Sequence, residues 1–184
     1  HAHQCTGDLT GRLLEFLSHA DGVDGHHDPR LAELFERILR QRRPSGLFGR
    51  IIADPLIAHE CFSACARFFP GFIYYYELTN DGRALDAAVG LAENALRHKD
   101  IWRKRAKEAG GRAIELWITE PMALLYGVTG RQEYLDFVGM IEETIEMPDR
   151  GAHAHGYMAT LRGLQTAALI TGDAAWNAKP EAAR

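Results

Sequence analysis

Residues 124–136 read LLYGVTGRQEYLD, and related segments occur at two other places along the chain. Residues 74–86 read YYYELTNDGRALD, and residues 167–176 read AALITGDAAW. In each copy an apolar run ends at threonine, glycine or asparagine follows, and a short polar turn leads into the next segment. Glycine and asparagine accept the left-handed conformation that closes an α-helix. The pattern therefore predicts an antiparallel helical hairpin in each copy.

The spacing of these copies predicts the architecture. Thr79, Thr129 and Thr171 are separated by 50 and 42 residues, about the length of two helices with two connections. Hairpins at this period stack into an α/α toroid or a solenoid. We expect an all-α fold of repeated hairpins that is (α/α)6 toroid-like but incomplete, because six hairpins need about 300 residues. Residues 1–184 would then form a single α/α-hairpin domain, the N-terminal part of a larger toroid.

Helical periodicity elsewhere supports this expectation. Apolar residues recur every three or four positions in five segments, at 31–39, 85–96, 114–126, 134–145 and 158–168. Asp28-Pro29 and Asp54-Pro55 have the form of an N-cap followed by proline in the first helical turn. Met147-Pro148 is expected to close a helix. No alternating strand pattern competes with these signals.

Composition narrows the class of protein. The net charge is −4 and basic residues cluster only near residues 40–43 and 103–107, whereas a nucleic-acid surface needs a broad basic face. No apolar run approaches the roughly 18 to 20 residues of a membrane span. The three cysteines, Cys5, Cys61 and Cys65, lack zinc-ribbon spacing. We therefore expect a soluble, cytoplasmic protein that binds neither nucleic acid nor membrane.

Two clusters carry residue types suited to sugar binding. Residues 150–157 read RGAHAHGY and lie in a predicted loop before the third repeat's helix, so His153 and His155 are able to face one sugar or one metal. Their alternative role is to provide polarity at a helix entry. Glu115 and Trp117, with Glu120, place acids beside an aromatic ring, which suits sugar hydroxyls and apolar sugar faces. The alternative is a core Trp117 with solvated acids.

Other candidate groups have simpler interpretations. His1 and His3 resemble a metal-hydrolase signature but precede no strand, and His26-His27 lie in a turn that Asp28 caps. Cys61 and Cys65 share one helix face and would hold zinc if His59 or Glu60 joined them, but buried thiols are usually small apolar groups. The Tyr74-Tyr75-Tyr76 run is expected to pack in the core. No Ser-His-Asp pattern, phosphate-binding glycine loop or dinucleotide fingerprint occurs in a strand-to-helix context.

Residues 153–164, HAHGYMATLRGL, running into Thr171-Gly172-Asp173, resemble glycoside hydrolase family 127, the β-L-arabinofuranosidase-like proteins with an (α/α)6 catalytic toroid. Residues 71–85 and 122–136 resemble the preceding hairpins of that toroid, and residues 5–15 resemble the opening of some members. The resemblance implies a carbohydrate partner and, in the full-length form, hydrolysis of a glycosidic bond.

The same resemblance limits what is assigned to this chain. In the family, a zinc-bound cysteine nucleophile and a glutamate acid/base follow the helix after the histidine-rich loop, where this chain ends. No catalytic residue, metal ligand or cofactor is therefore assigned here, and zinc is expected only in the full-length protein. A histidine near the start of this helix contacts the sugar in the family. The predicted substrate-binding residues are His153, His155, Tyr157, Glu115 and Trp117.

Two alternatives to the hydrolase stay open at this point. The first is a non-catalytic helical repeat module that binds a partner or a carbohydrate, as solenoids do on their concave faces. The second is a sugar epimerase on the same fold, for which His59 and His155 would provide paired histidines across a cavity.

Overall fold

The structure is a computed structural model that describes residues 8–25, 28–48, 55–108, 117–145 and 154–182. Within these ranges the chain is helical apart from turns and one isolated bridge between Arg42 and Phe48. The helices are α1 (Asp8–Asp24), α2 (Pro29–Leu39), α3 (Pro55–Thr79), α4 (Gly82–Arg97), α5 (Lys99–Glu108), α6 (Thr119–Thr129), α7 (Gln132–Thr144), α8 (Ala154–Thr171) and α9 (Ala178–Ala182). The all-α prediction is confirmed for these residues.

Two compact units make up the chain, His1–Asn94 and Ala95–Arg184. The boundary falls close to the end of α4. The predicted N-cap at Asp28 is confirmed, because its carboxylate accepts a hydrogen bond of 2.9 Å from the amide of Arg30. Helix α3 begins at Pro55 as predicted, whereas Asp54 and the predicted stop at 147–148 lie outside the described residues.

The three predicted turns share one hydrogen-bond pattern centred on threonine. The hydroxyls of Thr79, Thr129 and Thr171 each donate to the carbonyl oxygen four residues earlier, at 2.7 Å. Each hydroxyl also accepts a bond of 3.2 or 3.3 Å from the amide two residues later. One side chain thus links the end of one helix to the start of the next segment.

The residue after each threonine is left-handed, as the sequence predicts. The φ angles are 56° at Asn80, 69° at Gly130 and 72° at Gly172. The following residue then precedes the next helix, which in the third copy is a short 3-10 helix, Ala174–Asn177. Asp81 and Asp173 each accept a bond of 2.9 Å from the amide two positions later, whereas Arg131 makes no side-chain cap. In each copy, the left-handed residue therefore ends one helix, and the residue after it leads into the next.

A fourth related turn lies between α1 and α2, where the sequence predicts a turn capped by Asp28 but not its relation to the other three. Gly25 has a φ of 64° and its amide bonds to the carbonyl of Asp21 at 3.0 Å. Asp28 then caps α2. Here the left-handed residue and the capping aspartate are three positions apart, whereas they are adjacent in the copies at 80–81 and 172–173. Asp24 stands where the other copies have threonine. The helices α1 and α2 form a further hairpin.

In the first unit, the first helices of the hairpins, α1 and α3, lie side by side with almost no space between their backbones. A Cβ atom at Gly11 would lie 2.6 Å from the carbonyl carbon of Arg67. A Cβ atom at Gly71 would lie 3.1 Å from the amide nitrogen of Glu15. Contacts advance along both helices in the same direction, so α1 and α3 are parallel.

In the second unit, α6 and α8 repeat this packing. A Cβ atom at Gly163 would lie 2.6 Å from the amide nitrogen of Glu120, and one at Gly127 would lie 3.1 Å from the side chain of Ile170. Gly71 and Gly163 each stand nine residues before the left-handed residue that ends their helix. The partners Glu15 and Glu120 each stand ten residues before theirs. Both units use the same register.

The second helices form an outer layer within each unit. Arg83 on α4 pairs with Glu36 on α2 at 2.8 Å, and Lys179 on α9 donates to the carbonyl of Ile145, after α7, at 2.9 Å. Between the layers of the first unit lies an aromatic core in which Phe35 stacks on Tyr75 at a centroid distance of 4.1 Å. Tyr75 is buried. The prediction that the tyrosine run packs in the core is therefore confirmed for Tyr75.

The left-handed turn residue gives a first prediction. We expect Gly130→Ala to lower the free energy of unfolding by about 1–2 kcal/mol, because an L side chain is strained at this φ. Gly82→Ala is the matched control: a Cβ atom at either glycine meets no atom within 4 Å, but Gly82 has no positive φ. The control should be neutral or stabilise by up to about 1 kcal/mol. Urea unfolding of both variants would measure the difference, and equal effects would contradict it.

The close approach of α6 and α8 gives a second prediction. Gly163→Ala should lower the free energy of unfolding by about 1–3 kcal/mol, because the added methyl group collides with backbone atoms that have little freedom to move. Gly127→Ala is the control, since its methyl group meets only the flexible side chain of Ile170 and gains helix propensity of about 1 kcal/mol. Thermal unfolding of both variants checks the ranking, which would be refuted if the control were the less stable.

Candidate functional site

The structure describes only part of the predicted sugar-binding set. Glu115 and His153 lie outside the described residues, and for His155 only the helical backbone is described. The expectation that residues 151–157 form a loop is wrong for residues 154–157, because α8 begins at Ala154. Ala154, a strong helix former, and the absence of proline from residues 151–157 allow the helix to start earlier than the glycines suggested.

Trp117 and Tyr157 lie at the same end of the second unit. Trp117 and Ile118 form a short 3-10 turn directly before α6, and Tyr157 is in the first turns of α8. Because α6 and α8 run parallel with Glu120 level with Gly163, Trp117 and Tyr157 both lie on the N-terminal side of this contact, and α8 extends further, to Ala154. Trp117 is half-buried, whereas Tyr157 exposes only 7% of its surface. Trp117 therefore offers the more accessible aromatic surface of the two.

An ion pair joins α6 to α8 near this end. The Nε atom of Arg162 donates to a carboxylate oxygen of Glu120 at 2.8 Å, and a second guanidinium nitrogen donates to the same oxygen. The Glu120 side chain is 12% exposed. The alternative in which Glu120 is solvated is therefore wrong, because Arg162 holds it against the neighbouring helix.

Arg162 is a residue that the sequence analysis did not select. It stands 42 positions from Glu120, and only the packing of Gly163 against Glu120 brings the two together. The Arg162 side chain is more than half exposed, so the ion pair reaches the surface beside the N-terminal end of α6 and the middle of α8. The arrangement combines an aromatic ring with a carboxylate and a guanidinium group, which is a set suited to binding polar ligands.

A second polar and aromatic cluster lies in the first unit. The rings of His19 on α1 and Tyr74 on α3 have centroids 3.8 Å apart. Partial burial raises the pKa of the Glu77 carboxyl on α3 above its ordinary value, and positive charge on the nearby His19 opposes this rise. Tyr74 and Glu77 share a helix face at i, i+3 spacing, but His19 joins them only through the parallel packing of α1 and α3. The sequence analysis missed this cluster.

Metal binding is the alternative role that the sequence gives to His153 with His155 and to Cys61 with Cys65. Among the described residues, no group of three or more histidine, cysteine, aspartate or glutamate side chains lies close enough to hold an ion. Cys61 and Cys65 are on α3 at helical spacing, as predicted, and their side chains, like that of His59, lie outside what is described. The paired histidines proposed for an epimerase, His59 and His155, therefore stay a prediction.

Comparisons with known proteins give no relative for this chain: no family model, no curated protein and no solved structure matches it. In the part of the chain that the structure describes, no helix combines the length and the apolar character needed to cross a lipid bilayer. Any assignment of function therefore depends on the residues and their geometry.

The raised pKa of Glu77 gives a third prediction. Because the folded-state pKa lies above the unfolded one, the ionised carboxyl destabilises the fold, and this penalty disappears as the pH falls below the ordinary glutamate pKa of about 4.3. Glu77→Gln should therefore raise the melting temperature at pH 7 and leave it unchanged at about pH 3.5. Glu143→Gln, at an exposed position on α7, is the control and should change neither value. A gain that persisted in acid would contradict the assignment.

Proposed function

We propose that this chain binds a carbohydrate at the N-terminal end of α6 and the adjoining N-terminal half of α8, as part of a glycoside hydrolase-like α/α toroid. The observation that carries the proposal is the position of Trp117 at the same end as the ion pair between Glu120 and Arg162. Tyr157, and by their sequence positions Glu115, His153 and His155, belong to the segments that begin α6 and α8.

The chemistry of these groups fits a sugar. The apolar face of a pyranose or furanose ring packs on an indole, while its hydroxyls exchange hydrogen bonds with carboxylate and guanidinium groups. Hydrogen bonds to charged groups are about twice as strong as those between neutral groups. The pair between Glu120 and Arg162 is held in place by helix packing, so it is ordered before a ligand arrives, which lowers the entropic cost of binding.

The hairpin architecture supports the toroid part of the proposal. Within each unit the first helices lie side by side and the second helices form an outer layer, an arrangement common to α/α toroids and solenoids. Hydrolysis of a glycosidic bond ordinarily requires a pair of acidic catalysts. The family that residues 153–164 resemble places its nucleophile and acid/base beyond α8, so this chain is proposed to provide binding residues, and the full-length protein the reacting groups and zinc.

A non-catalytic repeat module is the second candidate function. It is favoured by the exposed apolar side chains of Leu9, Leu13 and Phe16 on α1, because such a face is typical of a protein-binding surface. The two candidates differ in their ligand: a sugar at the start of α6 and the N-terminal half of α8 for the first, and a protein on α1 for the second.

Sugar titration of the complete chain tests the proposal. We expect β-L-arabinofuranosides to bind in isothermal titration calorimetry. Trp117→Ala should weaken binding by about tenfold or more, since the stacking of a nucleobase on an aromatic side chain contributes about 1–3 kcal/mol. Trp176→Ala is the matched control, because Trp176 is also half-buried but lies over Gly139 on α7. The control should bind sugar normally.

Two results would contradict the carbohydrate proposal. The first is the absence of binding across a panel of arabinofuranosides, other pentosides and uronides. The second is equal binding by Trp117→Ala and the unchanged chain. Glu120→Gln provides an independent check, since it keeps the shape of the side chain but loses its charge, and we expect it to weaken sugar binding without unfolding the protein.

A further inference from the structure

One face of α1 is apolar along its whole length and is not covered by the described residues. Leu9, Leu13 and Phe16 are 76%, 47% and 66% exposed. At 100° per residue these positions, with Ala20, lie opposite the buried Gly11, Leu14 and Ser18, which face α3. We call this face the α1 stripe. Helix α8 has no such stripe, because polar Arg162 and Gln165 separate its exposed Met158 and Leu169.

The register of the hairpins argues against another hairpin of the same kind on the α1 stripe. Gly71 and Gly163, nine residues before the end of their helices, admit the backbone of the preceding helix. The equivalent position of α1, nine residues before Gly25, is Phe16. Its ring occupies the space that an adjoining helix backbone would need in this register. The occupant of the stripe must therefore approach in a different way.

A groove lies directly beside the stripe, between α1 and α2. It has a volume of about 370 Å³ and is lined by Leu13, Leu17, Leu34, Arg30, Glu33 and Arg37. The leucines form its apolar part, and the charged residues of α2 form its rim. Leu13 belongs to both the groove and the stripe. A protruding aromatic ring and an apolar recess therefore occur within one turn of each other on the same face.

We propose that the α1 stripe is the interface for a second copy of this chain, related by a two-fold axis with the two α1 helices antiparallel. A two-fold interface must be complementary to itself, and this face meets that requirement in shape, since Phe16 of each copy enters the groove beside Leu13 of the other. The charges beside the α1 stripe are also self-complementary. Glu33 and Arg37 are one turn apart on α2, so the antiparallel arrangement pairs each with the opposite residue of the other copy.

Sedimentation velocity of the complete chain across the micromolar range tests this proposal. We expect a monomer–dimer equilibrium, and Phe16→Ala should raise the dimer dissociation constant by at least about tenfold, as for a central aromatic contact. Leu169→Ala, which removes an exposed leucine from α8, is the matched control and should leave the equilibrium unchanged. Circular dichroism should show both variants folded, because both side chains are exposed. A chain that is monomeric throughout, or a dimer indifferent to Phe16→Ala, would overturn the proposal.

Charge reversal tests the two-fold arrangement itself. Glu33→Arg and Arg37→Glu should each weaken the dimer when present alone, since each places like charges opposite one another. An equal mixture of the two variants should form a heterodimer in which one copy carries arginine at both positions and the other copy carries glutamate at both, so that each arginine faces a glutamate. Failure of the mixture to associate better than either variant would refute the antiparallel pairing. Because neither residue is part of the proposed sugar site, sugar titration of the same variants keeps the two proposals distinguishable.

Discussion

The threonine hydroxyl at the end of three helices is the interaction on which the rest of the structure depends. It donates to the carbonyl four residues back and accepts from the amide two residues ahead, so it satisfies groups on both sides of the turn. With a left-handed residue between them, two helices join through only two residues. Each hairpin thus begins and ends at a defined point, and the helices of successive hairpins meet at equivalent positions.

That common register determines which groups come together. Gly163 meets the backbone of Glu120 and Gly71 meets that of Glu15, each at the same distance in sequence from its turn. The close contact places Arg162 against Glu120 and brings the start of α6 beside the middle of α8. In the first unit the equivalent packing of α1 and α3 brings His19 onto Tyr74. Gly71 and Gly163 carry no functional group, but the close helix packing that they permit positions residues that do.

The same register explains why the two candidate surfaces differ. Where a glycine stands nine residues before the left-handed residue, another helix approaches closely, and at Gly163 the pair between Arg162 and Glu120 forms across the contact. Where Phe16 stands at this position, close approach is blocked and an apolar face is left exposed. The side chain nine residues before the left-handed residue thus determines whether a helix packs closely against the preceding hairpin or presents a face suited to a different partner.

The sequence by itself determined the helices and three of their turns, because these depend on interactions within about five residues: apolar periodicity, a threonine with a left-handed neighbour, and an aspartate cap before proline. It predicted the turn before Asp28 but not its relation to the other three, because the spacing to the cap changes there, and it extended a loop into the first turn of α8. It grouped Trp117 with Glu120 as groups suited to a sugar and left open whether Glu120 is solvated. Only the tertiary structure decided the pairing of Glu120 with Arg162 and of His19 with Tyr74, since those partners are distant in sequence and the distance between two helices depends on the side chains at their contact, which periodicity does not reveal.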